Sequence, residues 1–187
     1  VDVLVAPAIG YGLCRSTSDH PGTVSIGFET LKNLIVDVGL GLYKNGVRRL
    51  IVASGHAGQG QLAAMTEAGE TLTDRCPGLV VAALTVVELL WDRVGDLVVT
   101  PGDGHAGELE TSIVAHLRPE WVHGSSPAEK PDFPVPIIVR NKTYYWPGGV
   151  NGDPAAADPD KGAELIARGV DALVDLIGKV NDFEHPA

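Results

Sequence analysis

The chain has 187 residues, 44% hydrophobic and 20% charged, which fits one globular domain with a sizeable core. Its formal net charge of −10 argues against a nucleic-acid binder and against a protein that docks on anionic membranes. Two cysteines, Cys14 and Cys76, make no C-x-x-C pair and no disulfide framework, so a reduced, cytoplasmic setting is expected.

Val1 to Ile9 is a nearly continuous apolar, β-branched run and reads as a buried strand. It opens on the first residue without Met, so further sequence upstream is expected. A loop from Gly10 to Thr23 carries Arg15, Asp19 and His20 and ends in the turn pair Pro21-Gly22. Leu31, Leu34, Ile35, Val38 and Leu42 recur at three- and four-residue spacing, which predicts a helix over Phe28 to Asn45, stopped by Gly46. Leu50 to Ala53 is a short buried strand. It leads into Ser54-Gly55-His56-Ala57-Gly58-Gln59-Gly60, and a helix from Gln61 to Arg75 follows. Leu79 to Thr85 is a second buried strand, and Val86 to Leu97 is helical, with Trp91 on its core side. The loop Gly102-Asp103-Gly104-His105-Ala106-Gly107 then hands over to a helix from Ala106 to Leu117. Residues 120–157 are rich in Pro and Gly, with a strand expected at Ile137 to Val139 and an aromatic run Tyr144-Tyr145-Trp146. The last helix starts with Asp158 as N-cap and Pro159 in its first turn.

This alternation predicts an α/β fold, a mostly parallel sheet covered on both faces by helices. Ligands of such sheets bind beyond the carboxyl ends of the strands, where His56 sits. An imidazole there is a ligand candidate for Zn²⁺ or Mn²⁺. Two plainer readings stand beside it: a structural histidine, or a phosphate cradle made by loop N–H groups between Gly55 and Gly60. The glycines do not form G-x-G-x-x-G, and no P-loop Lys follows.

The second loop is richer. His105 precedes Glu108 and Glu110, which open a helix, where the dipole favours carboxylates even without a metal. One histidine and nearby carboxylates suit an acid/base group beside a metal ligand, since imidazole titrates near neutrality. Asp19 and His20 are an adjacent pair in a loop that follows a strand. The aromatic run reads as a ligand-facing lip or a subunit contact. His116, His123 and His185 read as surface residues, and Met65 as core. No G-x-S-x-G elbow is present, which argues against a serine hydrolase.

Several segments together resemble the creatininase family of metal-dependent amidohydrolases. Ser54-Gly55-His56-Ala57-Gly58-Gln59 is similar to the family's Asn-Gly-His-Gly-Gly-Asn. His105-Ala106-Gly107-Glu108-Leu109-Glu110-Thr111-Ser112 fits its His-Ala-Gly-x-x-Glu-Thr-Ser segment closely. Tyr11-Gly12, Ser16 to His20 and Pro21-Gly22-Thr23 follow its order, and Gly149-Val150-Asn151-Gly152-Asp153-Pro154 matches a late motif. The resemblance implies a three-layer αβα sandwich and a centre of one or two Zn²⁺ or Mn²⁺ ions. It implies hydrolysis of a carbon–nitrogen bond in a cyclic or linear amide by a homo-oligomer, often a hexamer. It makes His56 and Glu110 metal ligands and His105 the acid/base group. It puts His20, Asp19, Gly58 and Glu108 on the substrate side. The family's Glu-x-His-Gly segment has no match here, and the remaining metal ligands are expected upstream of Val1. Creatinine-acting members carry Glu where this chain has Gly58, and a Trp shortly before the second-loop histidine, where this chain has Pro101 to Gly104. Creatinine itself is therefore not the expected substrate. A phosphate- or nucleotide-binding protein and a catalytically inactive assembly subunit are the alternatives.

Overall fold

A computed structural model describes residues 2–185. The helices are α1 (Phe28–Lys44), α2 (Gln59–Arg75), α3 (Val86–Val94), α4 (Glu108–Leu117), α5 (Lys142–Tyr145) and α6 (Pro159–Asp182). The strands are β1 (Arg49–Ser54) and β2 (Val80–Thr85). The chain falls into two compact units: residues 1–15, 24–89 and 172–187, and residues 16–23 and 90–171.

In the first unit β1 and β2 pair in parallel, with Arg49 opposite Val80 and Ser54 opposite Thr85. A parallel pair needs a long crossover, and α2 supplies it. Leu31 and Ile35 on α1 pack with Met65, Ala68 and Leu72 on α2 in one apolar cluster. Gly39 makes the close approach possible, because a Cβ there would lie 2.5 Å from a Leu72 methyl. Every strand and helix predicted between Phe28 and Arg75 is present, but of the apolar spacing on α1 Leu31 and Ile35 are buried while Leu34 and Val38 are exposed, and β1 is only half-buried rather than buried.

In the second unit Leu90, Val94, Leu109 and Leu165 form a smaller cluster with Ile113 packed against it. Gly162 lies against the Ser112 carbonyl, where a Cβ would come within 2.0 Å of the oxygen. Asp158 caps α6 as expected: its carboxylate accepts the Asp160 N–H at 2.8 Å. The Asp158 N–H in turn donates to Ser112 Oγ at 3.0 Å, which ties the start of α6 to α4.

Three expectations need correction. Val1 lies outside the described residues, and residues 2–9 form no strand. Leu4 and Val5 are more than 90% exposed. An apolar run becomes a strand only through a ladder partner, and none lies beside it among the described residues. Ile137 to Val139 is not a strand either. Pro134 and Pro136 remove ladder donors, and Ile137 N–H closes a turn onto the Pro134 carbonyl at 2.7 Å. Trp91 is 52% exposed rather than core, since the buried side of α3 is carried by Leu90 and Val94. Met65 is buried as expected. Among the described residues, no helix is long and apolar enough to cross a membrane.

Candidate functional site

β1 delivers the first histidine loop at its carboxyl end. Ser54 is buried and closes the loop on itself: its Oγ donates to the His56 carbonyl at 2.9 Å and accepts the His56 N–H at 3.1 Å. Gln61 Nε2 donates to the same hydroxyl at 3.2 Å, while Gln61 Oε1 accepts the Leu13 N–H at 2.8 Å. The His56 ring reaches the Leu13 carbonyl through Nε2 at 3.2 Å. A carbonyl only accepts, so Nε2 carries the proton in this contact and Nδ1 keeps the lone pair. Gly58 is the residue that makes room: a Cβ there would lie 2.5 Å from His56 Nε2. Here Gly58 serves the close packing of His56.

The second histidine loop, in the other unit, is held more tightly. His105 and Asn151 exchange backbone bonds in an antiparallel bridge, His105 N–H to Asn151 O at 3.1 Å and Asn151 N–H to His105 O at 2.8 Å. Gly104 N–H donates to the same Asn151 oxygen at 2.8 Å. The strip 148–152 is itself fixed by Glu129, whose carboxylate accepts the Gly148 and Val150 N–H groups at 3.1 and 3.2 Å. Asp103, buried ahead of α4, accepts the Glu108 and Leu109 N–H groups at 2.7 and 3.0 Å, so two free donors of the first turn are satisfied. Gly107 and Gly152 both pack on that carboxylate, where a Cβ would lie 2.0 Å from Asp103 Oδ1. Ala106 takes the left-handed conformation at φ 49°, and its N–H donates to Glu110 Oε2 at 2.6 Å.

His105 is half-exposed, with Nδ1 3.8 Å from Glu110 Oε2. Its ring meets Trp146 edge-on at 5.4 Å between centroids. His20 meets the same indole edge-on at 5.9 Å between centroids and donates from Nε2 to the Trp146 carbonyl at 2.7 Å. Asp19 does not point at this group. Its Oδ2 accepts the Lys142 N–H at 2.8 Å and caps the approach to α5. Glu108 is fully buried. Burial pushes its carboxyl pKa up, but hydrogen bonds from Lys161, Thr100 and Val99 outweigh that and hold it at about 2. With its oxygens taken up by Lys161 and two backbone N–H groups, Glu108 presents no surface to a substrate, which corrects the expectation for that residue.

The second unit thus brings His20, His105, Glu110 and Trp146 together. His56 and Gly58 belong to the first unit. Sequence reasoning left Asp103, Asn151 and Glu129 unassigned. Asp103 carried a usable signal, an acid in a Gly-flanked turn just ahead of a helix. Asn151 carried none, because a backbone bridge is indifferent to the side chain. Among the described residues, no group of three or more His, Cys, Asp or Glu side chains is gathered as a metal shell.

A family model described as creatininase, creatinine amidohydrolase, matches residues 1–177. A mycofactocin precursor peptide peptidase of Mycobacterium tuberculosis is 29% identical, over 94% of this chain and 66% of its own length. One from Mycobacterium ulcerans is 30% identical with the same coverage. The chain thus spans just under two thirds of the length of these relatives. A crystal structure of creatinine amidohydrolase has a TM-score of 0.79 at 22% identity, covering 92% of this chain and 73% of that one. A manganese form of creatininase has a TM-score of 0.74 at 21% identity, covering 86% and 67%. These structures share the α/β fold expected from the sequence. With the match running through both histidine loops and the strip that clamps the second, the chain belongs to the creatininase family.

Proposed function

We propose that this chain hydrolyses an amide carbon–nitrogen bond, with His105 moving the proton. The observation that carries the reading is the setting of His105: backbone clamped on both sides, ring half-exposed, and Nδ1 turned toward Glu110. A carboxylate on that side favours the Nδ1–H tautomer and leaves Nε2 as the reactive nitrogen. Nε2 takes a proton from the attacking water and returns it to the leaving nitrogen, a role worth about 10²–10⁴ in rate. His20, in ring contact with the same Trp146, lines the substrate side in this proposal.

The proposal includes a divalent zinc or manganese ion, for which His56 in the first unit and Glu110 in the second are each, taken separately, candidate donors. Both metals are of the kind such donors take, and when bound such an ion polarises a carbonyl and acidifies water. Two donors fall short of the three that a catalytic site takes, so every step above is carried by the chain's own groups. The substrate class is an amide of a peptide or of a small ring compound. The matched relatives are named for a peptide precursor, which favours the peptide arm. A homo-oligomer, a hexamer in the fullest form of the proposal, is supported by the exposed apolar side chains of Val135, Ile137, Ile138 and Tyr144. Cytoplasmic residence is supported by two free cysteines.

The test is hydrolysis of a panel of peptide and cyclic amides, with and without chelator, by the full-length protein and its His105→Ala variant. Turnover lost in the variant supports the reading. A folded variant with wild-type turnover overturns it. Ligand binding without turnover, indifferent to chelator, favours the phosphate-binding alternative.

A further inference from the structure

We propose that Trp146 is the positioning residue for His105, and that His20 braces Trp146 through its bond to the Trp146 carbonyl. The proposal rests on the reading of His105 as the proton carrier and adds the group that sets the orientation of its ring.

The bridge to Asn151 fixes the His105 backbone but leaves its two side-chain torsions free. Glu110 faces Nδ1 at 3.8 Å, beyond hydrogen-bond distance, so it does not lock the ring. The ring contact that remains is the indole of Trp146, edge-on at 5.4 Å and 64°. That indole is unusually well held. Its N–H donates to the Val150 carbonyl at 2.6 Å, its backbone N–H donates to Lys142 O at 3.0 Å, and its carbonyl accepts from His20 at 2.7 Å.

Two observations separate this role from ordinary core filling. Trp146 is only 5% exposed, yet it belongs to neither aliphatic cluster; its ring partners are His20, His105 and Phe133. His20 also gives up something to hold it. With the ring proton on Nε2 for the Trp146 carbonyl, His20 Nδ1 is buried without a hydrogen-bond partner. An unpaired buried acceptor is unfavourable, and the bond to Trp146 is what that orientation of His20 achieves.

The test uses the full-length protein with ¹⁵N-labelled histidine. NMR reads the His105 tautomer in the wild type and in Trp146→Ala, Trp146→Phe and His20→Ala, and the same proteins are assayed for amide turnover. The wild type holds a single Nδ1–H tautomer. Trp146→Ala mixes the two forms and lowers kcat by about tenfold, the upper range for an aromatic pair, with KM changed less. Trp146→Phe restores most of both, and His20→Ala shifts both partway. If Trp146→Ala does not fold, the Phe and His20 variants carry the same comparison. In a His105→Ala background, Trp146→Ala costs no further turnover. An unchanged His105 tautomer in folded variants overturns the proposal. A lost tautomer preference with His105→Ala fully active keeps Trp146 as the orienting residue and overturns only the catalytic reading.

Discussion

Lys161, in the first turn of α6, pairs with the fully buried carboxylate of Glu108, the first residue of α4. The same carboxylate accepts the Thr100 N–H at 2.7 Å and the Val99 N–H at 3.0 Å. One side chain therefore joins the loop before the second histidine, α4 and α6. Glu108→Gln removes the charge and leaves Lys161 partly buried without it, so a loss of about 3–5 kcal/mol is expected in urea denaturation. Pairing Glu108→Gln with Lys161→Met should recover part of that loss. If the single variant unfolds at the wild-type midpoint, the pair does not hold the unit together.

The pH dependence of stability follows from the same group. The folded-state pKa of Glu108 is held at about 2, against an ordinary value of 4.5. A depressed carboxyl pKa contributes stability that is complete above the unfolded value and lost as pH falls toward the folded one. The melting temperature should therefore drop as pH is lowered from about 5 to 2. That drop should be smaller in Glu108→Gln, as followed by circular dichroism.

Asp103 and the two glycines on it form a second structural joint. Asp103→Ala leaves two buried N–H groups without acceptors, an expected loss of about 2–4 kcal/mol. Gly152→Ala adds a Cβ where only 2.0 Å is open to Asp103 Oδ1, at φ 139°, so it should destabilise by at least as much as ordinary overpacking, about 1–3 kcal/mol. Thermal melts of both variants check this. Wild-type stability in either one removes the joint.

Gly58→Ala tests the first loop. The added methyl would meet His56 Nε2 at 2.5 Å and push the ring off the Leu13 carbonyl. Global stability should change by less than about 1 kcal/mol, because the loop is partly exposed. The His56 side-chain NMR signals should move, and turnover should fall if His56 belongs to the site. Unmoved signals would mean that the ring does not occupy this position in solution.

Glu110→Gln separates the metal role from the proton role. With Glu110 as a ligand, bound zinc or manganese measured by elemental analysis falls in Glu110→Gln and persists in His105→Ala. Equal metal content in both variants would withdraw Glu110 from the ligand set.

The periodicity of α1, α2 and α6 was legible in the sequence, because the apolar spacing at Leu31 and Ile35 or the Asp158-Pro159 start is local information. β1 and β2 were legible for the same reason. Residues 2–9 were not: their composition reports apolar character, and pairing is a property of neighbours. Glu108 illustrates the point within the site. Its position at a helix start looks the same for a substrate contact and for a buried partner of Lys161, and only packing tells them apart.

What the sequence determined by itself is the family, through short motifs whose residue types and spacings survive translation into any drawing of the fold. It also singled out His56, His105 and Glu110. What only the tertiary structure decided is which groups surround His105. Asn151 bridges its backbone, Trp146 meets its ring, and His20 bonds the Trp146 carbonyl from 126 residues away in the chain. Contacts of that range are made by the folded backbone bringing distant loops together, and no local pattern of residues encodes them.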